Sequence, residues 1–276
     1  MWWDRDSATG PIGLIAGQGT FPVLFAKAAR SVKRPVIVFG VEGVTDKRVE
    51  EFTSDAHYVK LGELGPLLEL LKTKSIKQVV FAGSVPKKRL YDNSLKLDGA
   101  AEDFMRQASN KGDDHLMRSL EVLLKVKCGV SVIDSRAFLK DTLAKKGVLT
   151  RRKPGENEAG DLKLGFRTAK HVGQMDIGQT VVVKDGVVIA VEALEGTDQT
   201  IRRAGELVND GAVVVKVSKP NQALRFDLPC VGLETLEAMR SAGARTLGVE
   251  AGKTILISKE KFIESADRAG LCVVGL

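Results

Sequence analysis

Glycine turns, carboxylates and lysines are the residues of this chain whose types and spacing can do chemistry. The run Gly13-Leu14-Ile15-Ala16-Gly17-Gln18-Gly19-Thr20-Phe21-Pro22 reads as a strand entering a glycine turn and then a helix. Gly17 and Gly19 let backbone amides approach an anion, and the positive end of the following helix faces it. A dinucleotide fingerprint would place a third glycine where Pro22 stands and an acid at the end of the next strand, where Gly40 stands with Glu42 nearby. The turn suits a nucleotide or a phosphate better than NAD, with an ordinary tight turn as the alternative. A second small-residue loop, Phe81-Ala82-Gly83-Ser84-Val85, ends another strand, and ligands of open α/β sheets bind outside the carboxyl ends of strands.

Three groups of acids come next. Asp113 and Asp114 open a helix, where either caps it or both hold a hydrated magnesium ion. Glu192-Ala193-Leu194-Glu195-Gly196-Thr197-Asp198 leaves a strand, crosses a glycine and enters a helix with Arg202 and Arg203 one turn on. That arrangement can hold a cation and a phosphate together, and Thr197 and Asp198 also suit the plain tasks of capping the helix and complementing its dipole. Asp227 stands among Phe226, Leu228 and Pro229, a frame that either perturbs a carboxylate or flanks an exposed one, and Lys219 is a compact positive charge for a phosphate.

The elements that must position these residues follow from hydrophobic periodicity. Strands are expected at Ile12-Ala16, Pro35-Phe39, Ala56-Val59 and Val79-Ala82, with amphipathic helices at Phe21-Ser31 and Glu63-Lys74 between them. Two helices follow from Ala100 to Lys127, broken near Asn110-Lys111-Gly112. Proline, glycine and charge from Thr150 to Gly160 mark a linker or exposed loop. Val181-Val183 and Val187-Ile189 then flank Lys184-Asp185-Gly186, a hairpin signal. Strands recur at Val213-Val217, Thr246-Val249, Thr254-Ile257 and Cys272-Val274, and helices at Thr197-Val208, Leu233-Ala242 and Lys259-Ala269. The expected fold is α/β: a Rossmann-like parallel-sheet domain over residues 1–150, a linker near 150–160, and a distinct α/β domain over 161–276 that carries the catalysis.

Composition narrows the chemistry. A chain of 276 residues is comfortable for two cores, and its +7 charge favours phosphorylated small molecules, anionic headgroups or nucleic acid. The basic runs Lys87-Lys88-Arg89 and Arg151-Arg152-Lys153 lack interleaved aromatics, which argues against nucleic acid. No apolar stretch is long enough to span a bilayer and the first residues resemble no secretory signal, so a cytoplasmic chain is expected. Cys128, Cys230 and Cys272 lack zinc or redox spacing and read as reduced core residues, and three histidines leave little for a histidine-based site.

Eight blocks in order carry a family resemblance: residues 13–22, 81–85, 111–114, 176–179, 192–198, 216–220, 227–232 and 250–252. Together the chain resembles the LpxI-type UDP-2,3-diacylglucosamine pyrophosphatases of lipid A synthesis over nearly its whole length. The resemblance implies a dimeric two-domain enzyme with its substrate in the crevice between the domains. The implied reaction is magnesium-dependent hydrolysis of UDP-2,3-diacylglucosamine to UMP and 2,3-diacylglucosamine 1-phosphate (lipid X), by water attack on the α-phosphorus. By motif match the family's essential aspartate falls on Asp227. Gln18 stands where many relatives carry a glycine, and the first six residues lie outside the resemblance.

On that basis Asp227 with Asp198, Glu192 and Asp113 are the expected magnesium ligands, with Asp227 as ligand or base. Lys219 and Arg202 are expected on the diphosphate, and Gly17, Gln18, Gly19, Gly83 and Thr197 complete the substrate-binding set. The lipid product and the positive charge suggest peripheral contact with the inner membrane. A non-catalytic carrier or sensor of a nucleotide-linked lipid is the alternative from another class.

Overall fold

The computed structural model describes residues 10–85, 95–108, 113–220, 225–226 and 228–276, the side chains of Asp113 and Asp114 excepted. Asp227, the run Lys87-Lys88-Arg89 and the break Asn110-Lys111-Gly112 lie outside the described residues. The chain forms two compact units, the first ending at Leu139 and including Arg225 and Phe226, the second beginning at Lys140.

In the first unit β1 (Ile12–Ala16), β2 (Val36–Val41), β3 (Ala56–Val59), β4 (Gln78–Ala82) and β5 (Ser131–Val132) form a five-stranded sheet in the order β3-β2-β1-β4-β5. Every pairing is parallel, so both faces need cover and the strands read as near-continuous apolar runs. Helix α1 (Phe21–Ser31) buries Phe25, Ala26 and Ala29 on one stripe, and α2 (Leu64–Thr73) buries Leu67 and Leu71. Helices α3 (Gly99–Gln107) and α4 (Asp113–Cys128) follow. This is the Rossmann-like half expected from the alternation of strand and helix.

The second unit holds a six-stranded sheet in the order β6-β13-β11-β9-β7-β8. Here β6 is Gly147–Val148, β7 Thr180–Lys184, β8 Val187–Val191, β9 Val213–Lys216, β11 Thr246–Val249 and β13 Cys272–Gly275. Strands β9, β11 and β13 run parallel, while β6 and the β7–β8 hairpin run antiparallel to their neighbours. Asp185 and Gly186 turn the hairpin at φ 49° and 78°, as the Asp-Gly pair predicts. Val182, Val214 and Leu247 pack on one face with Ile201, Met239 and Phe262; Val181, Val183, Val213 and Val215 pack on the other with Leu162 and Ala169. The alternation within each valine run thus feeds two cores.

Helix α5 (Glu156–Gln174) covers the second face and begins inside the stretch that reads as loop. Gly155 caps it, and the Glu158 carboxylate returns to the Gly155 amide at 2.8 Å, closing the first turn. Its glycines serve contact: a Cβ at Gly165 would stand 2.6 Å from Val215 Cγ2. Helices α6 (Thr197–Leu207), α7 (Leu233–Ser241) and α8 (Lys259–Arg268), with the short parallel pair β10 (Cys230–Val231) and β12 (Ile255–Leu256), complete the unit. Among the described residues no helix is long and apolar enough to cross a membrane. Only Cys272 of the three cysteines is buried; Cys128 and Cys230 are partly exposed, which corrects the reading of all three as core residues.

Candidate functional site

In the first unit the two glycine loops meet. The Gly17 amide donates to the Ala82 carbonyl at 2.8 Å and the Gln18 amide to the Ser84 carbonyl at 2.7 Å, while Ser84 returns a bond to Gln18. A Cβ at Gly17 would lie 2.5 Å from the Ser84 carbonyl oxygen, and one at Gly83 2.5 Å from that of Gln18. Gly17 and Gly83 are therefore small so that two strand exits can interlock, and the amides of Gly17 and Gln18 are already spent. Gly19 differs: it holds φ 93° with open space around it, next to a helix whose N-cap Thr20 makes no side-chain cap. The amides of this turn that neither of those two bonds engages are those from Gly19 onward, at the positive end of the helix.

Arg225 and Phe226 also belong to this unit. The Arg225 guanidinium pairs with both oxygens of Glu121, at 2.9 and 2.6 Å, and the Phe226 ring meets Phe81 edge-on at 6.1 Å. These contacts hold the residues that immediately precede Asp227. Asp113 is the first residue of α4.

In the second unit strand register gathers a polar cluster at one end of the sheet. Lys216 pairs with Thr180 across β7 and with Val249 across β11, and Val181 pairs with Val191, so Thr180, Glu192, Lys216 and Glu250 all emerge there. Glu192 and Lys216 are 7% and 8% exposed, and a charge so deep needs partners. The Lys216 ammonium donates to Thr197 Oγ1 and to the Cys230 carbonyl, each at 3.0 Å. Thr197 Oγ1 donates to Glu192 Oε1 at 3.1 Å, and the Gln179 amide donates to Glu192 Oε2 at 3.3 Å.

Proton counting orients the network. An ammonium only donates and a carboxylate only accepts, so the single hydroxyl proton of Thr197 goes to Glu192. Thr180, 3.2 Å from Thr197 Oγ1, is then the donor of that pair. Capping of α6 was the plainer of the two tasks open to Thr197, but Gly196 takes the N-cap position at φ 84° and no side chain caps the helix. The physical reason is that the Thr197 hydroxyl is engaged with Glu192 and Lys216 instead.

A second buried carboxylate lies alongside. Glu250 accepts from the Ser218 amide at 2.9 Å, the Ser218 hydroxyl at 2.7 Å and Lys170 at 2.6 Å, and Lys253 stands 2.8 Å from its other oxygen. Burial pushes its pKa up, but the bonds from Lys170, Lys253 and Ser218 outweigh that and hold it down at about 2. Lys219 pairs with Asp176 at 2.5 Å. Asp198 is half-buried and Arg202 is exposed on α6, where Arg202 adds to the charges that lower the Glu237 pKa, after the Arg240 hydrogen bond.

Of the expected site residues, Glu192 and Thr197 touch, and Asp198 follows Thr197 at the start of the same helix. Gly17, Gln18, Gly19 and Gly83 come together in the first unit. Lys216, Thr180, Lys170, Ser218 and Glu250 were not singled out from the sequence as site residues. The available signal was a lysine at the end of a valine strand and an acid directly after another strand.

Among the described residues no three His, Cys, Asp or Glu side chains converge on a metal position. Glu192 offers hard oxygens, each with one lone pair engaged and another to spare. One or two carboxylates completed by water and phosphate oxygens suit magnesium. The donor chemistry fits.

Comparison with known proteins agrees along the chain. The family model of the LpxI N-terminal domain matches residues 11–142 and that of the LpxI C-terminal domain matches residues 145–274. The UDP-2,3-diacylglucosamine pyrophosphatase LpxI of Caulobacter vibrioides is 30% identical over 276 residues, covering 96% of this chain and 97% of that protein.

Proposed function

The chain belongs to the LpxI family, and we propose that it is a UDP-2,3-diacylglucosamine pyrophosphatase of lipid A synthesis, hydrolysing its substrate to UMP and 2,3-diacylglucosamine 1-phosphate by water attack on the α-phosphorus. The observation in this chain that supports the reading is the buried Glu192–Thr197–Lys216 cluster beside the uncapped start of α6. Diphosphate hydrolysis needs cations and amides already in place where phosphoryl charge develops. A buried ammonium, a helix amino end and a carboxylate polarised through a hydroxyl are such a preset field.

Magnesium is the proposed cofactor, with Asp227, Asp198, Glu192 and Asp113 as the residues that would hold it. When bound it would neutralise phosphoryl oxygen charge. Asp227 is the proposed essential carboxylate, as a ligand or as acceptor of the proton of the attacking water. Lys219 and Arg202 are assigned to the diphosphate. The glycine turn, with Gly19 as its open position and Gly17, Gln18 and Gly83 as its frame, is assigned to the uridine half or its phosphates. The same reading carries a homodimer in the cytoplasm that touches the inner membrane peripherally to reach its lipid.

The test is UMP release from UDP-2,3-diacylglucosamine by wild type and by Asp227→Ala, each with magnesium and with EDTA. Turnover that requires both magnesium and Asp227 is expected. Lipid binding without turnover in wild type would put a non-catalytic carrier in place of the enzyme, and full activity of Asp227→Ala would move the chemistry to another carboxylate.

A further inference from the structure

Lys216 enters the reaction assigned above only as buried positive charge, with no contact of its own to substrate or water, and it occupies the centre of the second unit's cluster. It ends β9, an interior strand of the six-stranded sheet, at 8% exposure. Burying a lysine costs free energy unless its donors are satisfied. Its bonds to Thr197 and to Cys230 go to quite different places. One reaches Thr197 Oγ1, and through it Glu192, at the entrance of α6. The other reaches the backbone carbonyl of Cys230, three residues after Asp227.

The segment after Asp227 is anchored from Leu228 onward, where Cys230 and Val231 pair with Ile255 and Leu256 of β12 and the Cys230 thiol reaches the Leu228 carbonyl at 3.2 Å. Leu228 is buried, the Pro229 carbonyl accepts from the Ile255 amide at 2.8 Å, and the Val231 carbonyl accepts from the Ile257 amide at 2.9 Å. The Cys230 carbonyl lies between these two anchors and is taken by Lys216. Had neutralisation of Glu192 been the lysine's whole task, a direct ion pair would have met it. Instead a hydroxyl separates the two charges, and the ammonium reaches sideways to a main-chain oxygen.

We propose that Lys216 is a positioning residue for the reaction: its ammonium ties the backbone that follows Asp227 to the Thr197–Glu192 pair. This inference rests on the proposed function. A flexible lysine is suited to the task because three rotatable donors on a compact charge can serve acceptors in different directions, which a planar guanidinium fork cannot do in the same space. Loss of the tie would leave substrate contacts intact while the backbone of 228–231 loosens, and misplacement of catalytic groups by about 1 Å is enough to cost a large factor in rate.

The experiment compares wild type, Lys216→Met and Lys216→Arg by steady-state UMP release, thermal melting and amide hydrogen exchange. The expected result for Lys216→Met is a kcat at least about tenfold lower with KM within about threefold. Exchange should quicken in the peptide spanning 228–231 and stay unchanged in β7 and β11. Lys216→Arg keeps the positive charge near Glu192 and guards against a Met variant that fails to fold; it should melt like wild type yet lose about fivefold or more in kcat.

A folded Lys216→Arg with wild-type kcat overturns the proposal, as does a Lys216→Met variant that matches wild type. So does a rise in KM at constant kcat, which would mean that the lysine holds substrate directly. Wild type that releases no UMP would defeat the proposed function instead, so the two failures are distinguishable.

Discussion

Lys170 and Glu250 stand 2.6 Å apart in the second unit, and the Glu250 carboxylate also takes both donors of Ser218. Its folded pKa of about 2 lies below the ordinary 4.5. A depressed carboxylate pKa stabilises the fold above the unfolded value and loses that contribution as pH falls through the folded one. Wild type should therefore lose on the order of 2 to 3 kcal/mol between about pH 5 and pH 2 from this group. Urea unfolding across that range should fall less steeply for Glu250→Gln, which starts less stable near neutral pH. Parallel curves would show that Glu250 is not the titrating group.

Gly17 and Gly19 should respond differently to alanine. At Gly17 the new methyl meets the Ser84 carbonyl at 2.5 Å, and forcing the loops apart should cost about 2 kcal/mol or more. At Gly19 there is room, and the strain of φ 93° alone should cost about 1 kcal/mol. Equal costs in denaturant melts would mean that the loops are not interlocked.

Gly178→Ala tests the scaffold of Glu192 from behind. Its methyl would run into the Glu192 carbonyl oxygen, so the strand exit must shift and carry the carboxylate with it. UMP release should drop by about tenfold or more. Unchanged activity would show that the position of Glu192 does not matter to turnover.

Glu192→Gln bears on the metal. The amide keeps the Thr197 neighbour but removes the negative charge, so half-maximal activity should need roughly tenfold more magnesium. A magnesium titration identical to wild type would remove Glu192 from the ligand set.

Asp161 offers a contrast remote from the chemistry. It is 4% exposed and accepts from the amides of Asp185 and Gly186 at 2.9 and 2.7 Å, pinning the hairpin turn to α5. Asp161→Ala should lower stability by roughly 1 to 2 kcal/mol, since two charge-assisted bonds from the hairpin turn to a buried carboxylate are lost. Its kcat at low temperature should stay at the wild-type value, as measured by UMP release.

Much of the fold was legible because local pattern and tertiary role coincide. Phe21–Ser31 has its observed bounds because apolar spacing and the glycine turn before it agree. The β7–β8 hairpin was legible because Asp185 and Gly186 impose their own turn. Helix α5 was hidden because its first turns are polar and its glycines dilute the apolar stripe; Gly165 is there to approach Val215, a fact visible only once β9 lies beneath it.

The site divides along the same line. Glu192 and Thr197 were readable as a pair because only four residues lie between them, and local geometry is enough to bring them together. Lys216 and Thr180 come together at Thr197 because antiparallel β7 flanks β9 in a register that pairs them, and a one-residue slip would send each side chain to the opposite face. The sequence by itself determined the α/β class, the glycine turns, the acids available for chemistry and the family. Only the tertiary structure decided that the Gly17 and Gln18 amides are consumed by a neighbouring loop and that the buried cation beside Glu192 is Lys216, because long-range pairing, unlike local periodicity, leaves no mark on adjacent residues.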